Sequence, residues 1–485
     1  MQGGPWNVPG LLFIIGWLII LVGLAMLVPM ATDLAADHHD WAAFAWAAAI
    51  ALFLGGLLVL GNRRPDLHLG LRAVFMLTSL SWVAVALVAT LPLQLGSYRL
   101  SFTDAIFEVV SGLTTTGATV IVGLDAAPPG LLLWRALLQG LGGVGIILMG
   151  MVLLPFLRVG GMQLFRTESS DRSEKLLPTT GAIVARIVLV YLTLIGLCLL
   201  ALLAVGVDLF DAVVHSLTAV ATGGFSTKDA SVGGLANPAA EWIIVLFMLI
   251  GGLPMLRIIA LLQGRPGLLV RDPQIHLFLA LCLATTALFT IILLAQQRAP
   301  LPALRSGAFH AVALLTTTGY ATEDYMLWGA PAVGLALGIM VLGGCTGSTA
   351  GGIKMFRILI LSRATLHYIQ QLFLPSRVHR LRFNDRPVDP EIVFAVLAFV
   401  FLFIGSWGGV TVLLALLGLD LVTAVSAAAS ALANVGPGLG DVIGPAGSFR
   451  DLGDPAKWLL TFAMLLGRLE FFTVLVLFHP AFWRR

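Results

Sequence analysis

Charge is what this 485-residue chain has least of: Asp, Glu, Lys and Arg make up 11%, while 59% of residues are hydrophobic and mean hydropathy is +0.98. Soluble domains are roughly 25% charged, so the chain lacks the polar residues to cover a water-facing surface. A large soluble protein is excluded, and lipid must be the solvent for most of it. Cysteine is also rare. Cys198, Cys282 and Cys345 lie in apolar or glycine-rich runs without CxxC spacing, which argues against a disulfide framework or a thiolate metal site and for small core residues. No HExxH, GxSxG or paired intramembrane aspartate is present, so an intramembrane enzyme would lack its convergent groups, and the chain reads as a non-enzyme. No GxGxxG follows a strand and no Walker lysine occurs, so no nucleotide is expected on this chain itself. Basic clusters interleaved with aromatics are missing too, which removes nucleic acid as a partner. The N-terminus has neither a basic n-region nor a small-residue cleavage site, so its first apolar run reads as a retained helix.

What the chain does have is long apolar runs. A span needs about 20 mainly apolar residues, and ten segments qualify: 11–30, 41–60, 72–95, 130–157, 180–205, 240–263, 274–296, 328–371, 391–418 and 456–480. The eighth is too long for one span and is interrupted by a ten-residue run, Gly343-Gly344-Cys345-Thr346-Gly347-Ser348-Thr349-Ala350-Gly351-Gly352. Such a run should not stay helical. At membrane depth its backbone must be buried in protein or line a watery cavity. Orientation follows from Lys and Arg. With the N-terminus in the cytoplasm, nineteen of them lie on the cytoplasmic side and seven opposite: Arg99, Arg135, Lys228, Arg298, Arg305, Arg450 and Lys457.

Between alternate spans lies a shorter apolar stretch of about 12 residues, too short to cross, followed by a Thr/Gly cluster. These stretches are Phe102–Thr119, Leu209–Thr227, Leu304–Thr322 and Leu421–Leu439, and they read as re-entrant helices. Their clusters are Thr114-Thr115-Thr116-Gly117, Ala221-Thr222-Gly223-Gly224, Thr316-Thr317-Thr318-Gly319 and Asn434-Val435-Gly436-Pro437. Aligning Gly117, Gly223, Gly319 and Gly436 gives separations of 106 (223−117), 96 (319−223) and 117 (436−319) residues. A period near 100 kept through four units is an internal repeat. The expected fold is an all-α integral membrane protein of four pseudo-repeats, each helix, pore loop, helix. Residues 1–65 form a two-helix extension, followed by repeats at 66–160, 161–265, 266–385 (with the interrupting loop 343–352) and 386–485.

One Thr-Gly cluster would be an ordinary turn capping a short helix. Four at matched positions suggest pseudo-fourfold symmetry about one axis. Backbone carbonyls there can replace the hydration shell of a monovalent cation. Glycine lets successive carbonyls point the same way, and the C-terminal end of each short helix favours a cation.

The motifs SGLTTTGAT, TAVATGGFST, LLTTTGYAT and ALANVGPGLG resemble the four filter segments of the Trk/Ktr/HKT superfamily of cation transporters, over essentially the whole chain. The two extra N-terminal helices make it similar to the TrkH subfamily rather than the shorter KtrB. That resemblance implies a potassium-channel-like fold and a potassium filter at Thr115, Thr116, Gly117, Thr222, Gly223, Thr317, Thr318, Gly319, Asn434, Val435 and Gly436. It implies a gate at Gly343, Gly344, Gly347, Ser348, Thr349, Gly351, Gly352 and Lys354, in a loop whose small residues should make few packing contacts. It also places Arg468, of the final-span GRLE, in the pore beneath the filter. An arginine midway along a span is costly and should face a cavity or partner, and Glu470 is too close in sequence for good pairing.

The implied activity is that of the potassium-selective, ion-conducting subunit of a bacterial Trk-type uptake system in the cell inner membrane. The alternative is a potassium/proton or potassium/sodium symporter. The implied partners are a second copy, forming a homodimer, and a cytosolic TrkA-type nucleotide-binding regulatory subunit that docks on the basic segments Arg158–Arg186 and Lys354–Glu391. In this chain Leu253-Pro254 replaces the family's usual Asn-Phe. Arg257 is expected to snorkel to the interface. His215 and His310, inside re-entrant helices, are candidate pH sensors or packing residues. Asp104, Glu108 and Asp211 read as helix caps that could also attract cations to the mouth.

Overall fold

The computed structural model describes residues 7–63, 69–150, 180–374, 381–384 and 386–484. Among the described residues every regular element is a helix apart from a two-residue antiparallel pair, β1 (Arg382–Phe383) and β2 (Arg386–Pro387). Helices α1 (Val8–Ala35) and α2 (Trp41–Gly61) form the N-terminal pair. Asn7 starts α1 by accepting the Gly10 N–H at 3.2 Å. The two helices approach closely at glycines: a Cβ on Gly16 would lie 3.0 Å from the Gly55 carbonyl oxygen. Small residues of this kind let membrane helices pack backbone to backbone. The outer faces carry exposed Trp17, Trp46 and Phe53, as a lipid-facing surface requires.

Four units follow. The first is α3 (Leu71–Leu95), short α4 (Phe102–Leu113) and α5 (Pro129–Leu148). The second is α6 (Thr180–Ala204), short α7 (Leu209–Val220), and the pair α8 (Pro238–Gly251) and α9 (Met255–Leu262). The third is α10 (Pro273–Ala295), short α11 (Pro300–Leu315), then α12 (Ala330–Met340) and α13 (Met355–Phe373) on either side of the glycine-rich loop. The fourth is α14 (Pro390–Leu416), short α15 (Leu421–Ala433), and the pair α16 (Asp454–Arg468) and α17 (Phe472–Phe478). Several long apolar helices make this a multi-pass membrane protein. The short helices begin with side-chain caps in three units: Ser101 accepts the Asp104 N–H, Asp208 that of Phe210 and Asp420 that of Thr423.

Two expected straight spans are broken. The segment expected over 240–263 bends by 100° between α8 and α9, and that over 456–480 bends by 108° between α16 and α17. At the first break Gly252, Leu253 and Pro254 end α8, and proline cannot donate the N–H that would continue it. At the second, Glu470 and Phe471 take positive φ, 63° and 35°. Arg468 therefore sits at the last residue of α16, on a corner rather than halfway along a continuous span. The end of the expected span 130–157 and most of the basic loop Arg158–Arg186 lie outside the described residues.

Candidate functional site: a four-strand ring above a glycine loop

Each short helix ends in the same backbone figure. The N–H of Thr116 donates to Ser111 O at 2.8 Å, Gly223 to Thr218 O at 2.9 Å, Thr318 to Ala313 O at 2.8 Å and Val435 to Ser430 O at 2.9 Å. The residue just before each donor is left-handed: Thr115 (φ 51°), Thr222 (50°), Thr317 (55°) and Asn434 (57°). So is the residue just after: Gly117 (86°), Gly224 (81°), Gly319 (73°) and Gly436 (112°). Left-handed φ at a β-branched threonine is a genuine outlier, and such backbone persists only where its surroundings impose it, typically at functional sites.

This register corrects the sequence alignment. Gly224, not Gly223, is the counterpart of Gly117, Gly319 and Gly436. Gly223 instead matches Thr116, Thr318 and Val435. In a Gly-Gly pair the sequence offers no way to choose between the two.

The glycines are required twice over, by φ and by what lies beside them. A Cβ on Gly117 would fall on the carbonyl oxygen of Gly223, one on Gly224 on that of Thr318, and one on Gly319 on that of Val435. A Cβ on Gly436 would lie 2.7 Å from the carbonyl oxygen of Thr116. Unit one thus touches two, two touches three, three touches four and four touches one. The four segments 116–117, 223–224, 318–319 and 435–436, called strands one to four below, close a ring, with four equivalent carbonyls each set against the glycine of a neighbour. The Thr116 and Thr318 hydroxyls bond back to Thr114 (2.6 Å) and Thr316 (2.7 Å) at the helix ends, and that of Thr116 also accepts from Asn434 of unit four.

The loop between α12 and α13 lies against the side of this ring where the short helices end. Thr349 Oγ1 donates to Val220 O (3.1 Å) and Gly251 O (3.0 Å) and receives a bond from Thr222 Oγ1 at 3.0 Å. The Gly351 N–H donates to Thr317 Oγ1 at 2.6 Å, and the Gly352 N–H to Ala433 O at 2.9 Å. Gly251 and Gly252 accept the N–H groups of Thr349 and Cys345, while Met255 donates to Gly347 O at 2.9 Å. Gly343 packs on Gly351, and a Cβ on Gly344 would sit 3.0 Å from Gly252 O. Ser348 Oγ bonds Cys345 O at 2.5 Å, and Lys354 Nζ donates to Ala350 O. The expectation of a loop with few contacts is therefore corrected: it is pinned to units two, three and four. Leu253-Pro254 sits at the α8–α9 bend on which the loop rests.

The four left-handed residues are not equivalent. Thr222 and Thr317 are tied to the loop, whereas Thr115 Oγ1 and Asn434 Oδ1 are buried without a hydrogen-bond partner. Asn434 Nδ2 reaches Thr116 Oγ1 and Met464 O, both at 3.0 Å. Beneath them is a cavity of about 20 Å³ lined by Gly347, Gly351, Lys354, Asn434, Arg468 and Glu470 among others, with room for about one water. Arg468 is 3% exposed, and its Nε and Nη2 have no hydrogen-bond partner. Glu470 pairs with Arg357 instead, whose guanidinium lies 3.6 Å over the Phe399 ring.

Other expectations need correcting. Arg257 does not snorkel, because its Nε is 2.9 Å from Asp272 Oδ2. Glu108 does not face the mouth; it meets Arg135 of α5. Both are buried inside the unit and paired at 2.8 Å. Asp104 holds Lys457 at 2.7 Å, and Asp211 accepts from Thr227 at 2.6 Å. In the shared register Glu108, His215 and His310 occupy one position, and each reaches the segment following its Thr/Gly cluster. Glu108 accepts from Thr119 Oγ1 and the Val120 N–H at 2.9 Å. His215 Nε2 lies 2.9 Å from Ser226 Oγ, and His310 Nε2 lies 3.1 Å from Glu323 O. On the rim, burial raises the Glu323 carboxyl, but hydrogen bonds from Arg298 and Ser306 outweigh it and hold the group below the ordinary carboxylate range.

Sequence reasoning missed Arg135 and Gln139, although two polar residues four apart inside an apolar span are a signal.

Residues 41–485 match TrkH, the cation transport protein family. The chain belongs to the TrkH family. The Trk system potassium uptake protein TrkI of Halomonas elongata is 43% identical over 470 residues, covering 97% of this chain and 95% of that protein. The Trk system potassium uptake protein TrkH of Escherichia coli K12 is 37% identical over 483 residues, covering 97% and 98%. The crystal structure of the potassium transporter TrkH from Vibrio parahaemolyticus matches with a TM-score of 0.91 at 32% identity, over 100% of both chains. The expected subfamily and the all-α membrane fold stand on these matches. TrkH members are transporters, so this chain is a transporter and not an enzyme.

Proposed function

We propose that this chain is the potassium-selective, ion-conducting subunit of a bacterial Trk-type uptake system. The observation that carries the reading is the closed ring of four glycines and four carbonyls at the ends of four short helices. Carbonyl oxygens can replace the shell of a dehydrated monovalent cation, and helix C-termini add favourable potential for it. Potassium is the substrate because the filter of each unit keeps a glycine at the ring, and because the relatives carry potassium uptake in their names. Thr115, Thr222, Thr317 and Asn434 offer side-chain oxygens at the inner end; Thr116, Gly223, Thr318 and Val435 offer ring carbonyls. The loop Gly343–Gly352 with Lys354, and Arg468 on its corner, form the barrier below, and the small cavity between them corresponds to a closed state. The four units, with the boundaries 66–160, 161–265, 266–385 and 386–485, act as one pore. The protein sits in the inner membrane with its N-terminus cytoplasmic, works as a homodimer and docks a cytosolic TrkA-type nucleotide-binding subunit on its basic cytoplasmic segments.

Symport with protons or sodium is the less favoured reading. It calls for ionisable relay groups inside the membrane, and the buried carboxylates Glu108, Glu241, Asp272 and Glu470 each pair with an arginine, while Asp33 accepts the Gly130 N–H. The filter is tested in a potassium-uptake-deficient bacterium. The parent chain restores growth on low potassium, and Gly117→Ser lowers discrimination against sodium by about tenfold, the equivalent of ~1.4 kcal/mol. Unchanged relative uptake of the two ions would sink the assignment.

A further inference from the structure

Behind the first two filter strands lies a ladder of polar side chains that neither the ring nor the loop needs for its own closure. Its members are Glu108 on α4 and Arg135 and Gln139 on α5, none more than 1% exposed. Arg135 and Gln139 are four residues apart, so they stack on one face of the helix. From the upper rung, Arg135 Nε meets Glu108 Oε1 at 2.8 Å, Nη2 donates to Thr119 Oγ1 at 3.1 Å and Nη1 donates to Ser226 O at 3.1 Å. Its guanidinium also lies 4.0 Å over the Phe225 ring. The pair thus ties the segment after strand one to the segment after strand two. From the lower rung, Gln139 Nε2 donates to Gly223 O at 2.6 Å, and its Oε1 accepts the Phe225 N–H at 3.1 Å.

The Gly223 oxygen is the ring carbonyl that abuts Gly117. Among the described residues no side chain donates to the other three, those of Thr116, Thr318 and Val435. One quarter of the ring is therefore held from outside by an amide, and that amide is braced by a buried ion pair. Burying an ion pair gives little net stability compared with apolar packing of the same volume, so stability alone does not account for the ladder. Its geometry does: it fixes the spacing between the first two strands.

We propose that Gln139, oriented together with strand two by Arg135 and Glu108, is a specificity-determining positioning residue. By holding the Gly223 carbonyl it sets the ring width at the boundary of units one and two, without lining the cavity itself. This rests on the filter reading above, and the experiment separates the two. Tracer uptake of potassium and of sodium is measured on purified, reconstituted protein for the parent, Gly117→Ser, Gln139→Leu and Arg135→Lys, each normalised to inserted protein. Leucine fills the space of Gln139 but cannot donate. Lysine keeps the charge beside Glu108 but lacks the fork that reaches Thr119 and Ser226 together. Gln139→Leu removes both the bond to Gly223 O and the one from the Phe225 N–H and is expected to lower the potassium-to-sodium ratio about fivefold, and Arg135→Lys to shift it the same way by less. If Gln139→Leu does not insert, Arg135→Lys carries the test. A fall in total uptake with the ratio unchanged means a merely structural role and overturns the proposal. If Gly117→Ser moves the ratio and neither ladder variant does, the ladder proposal fails alone. If none moves it, the filter reading fails with it.

Discussion

Gly223 and Gly224 are chemically identical and adjacent, yet a methyl group would meet different things at each. At Gly224 it would strike the Thr318 backbone carbonyl in a residue with φ of 81°, whereas at Gly223 it would press on the Gln139 side chain. Backbone cannot move aside as a side chain can, and a left-handed non-glycine residue adds a cost of its own, roughly 1 kcal/mol or more. Gly224→Ala should therefore cut uptake by at least about tenfold at equal expression, while Gly223→Ala should keep most of the rate and lose selectivity instead. Equal loss in both would contradict the register. Three of the four ring glycines were legible in the sequence because each stands alone after its threonines or Asn-Val. The fourth was not, because two glycines in a row leave the phase open and only the shared bond to the short helix resolves it. Glu108 and Arg135 were legible as charges but not as partners, since 27 residues separate them and nothing local brings them together.

At the scale of elements, composition located the apolar segments but not their breaks. Hydropathy sums over α8 and α9, or α16 and α17, as it would over one span, while the bends depend on Pro254 and on the local backbone of Glu470 and Phe471. The glycine loop was legible as an interruption. Its firmness was not, because its hydrogen bonds go to Val220, Gly251, Gly252, Thr317 and Ala433 in other elements. Thr349 is central to that fastening, since one hydroxyl serves three partners. Thr349→Val keeps the shape and removes these bonds, each worth about 1 kcal/mol net. If the fastened loop is the closed gate, Thr349→Val raises flux through reconstituted protein about fivefold or more, and Arg468→Ala does so by removing the charge below. Flux at or below the parent level in both variants would contradict the barrier.

As a whole molecule the protein is fourfold only at its ring. Unit one contributes the ladder behind strands one and two, unit three the loop, and unit four Asn434 and the cornered Arg468. The loop ties up Thr222 and Thr317, leaves Asn434 on the cavity wall and leaves the Thr115 hydroxyl without a partner, so it meets the ring unevenly. A homotetramer could not place any of these singly. The sequence displayed the fourfold pattern through its period near 100 residues, whereas the asymmetry appears only where units touch. The central claim is that a potassium ion moves through this ring under its own gradient. It is tested by uptake into liposomes holding the purified chain, with a potassium gradient imposed and pH and sodium equal on both sides. The account predicts tracer potassium entry that a tenfold excess of sodium barely slows. Entry only when a proton or sodium gradient is supplied, or equal competition by sodium, would contradict it.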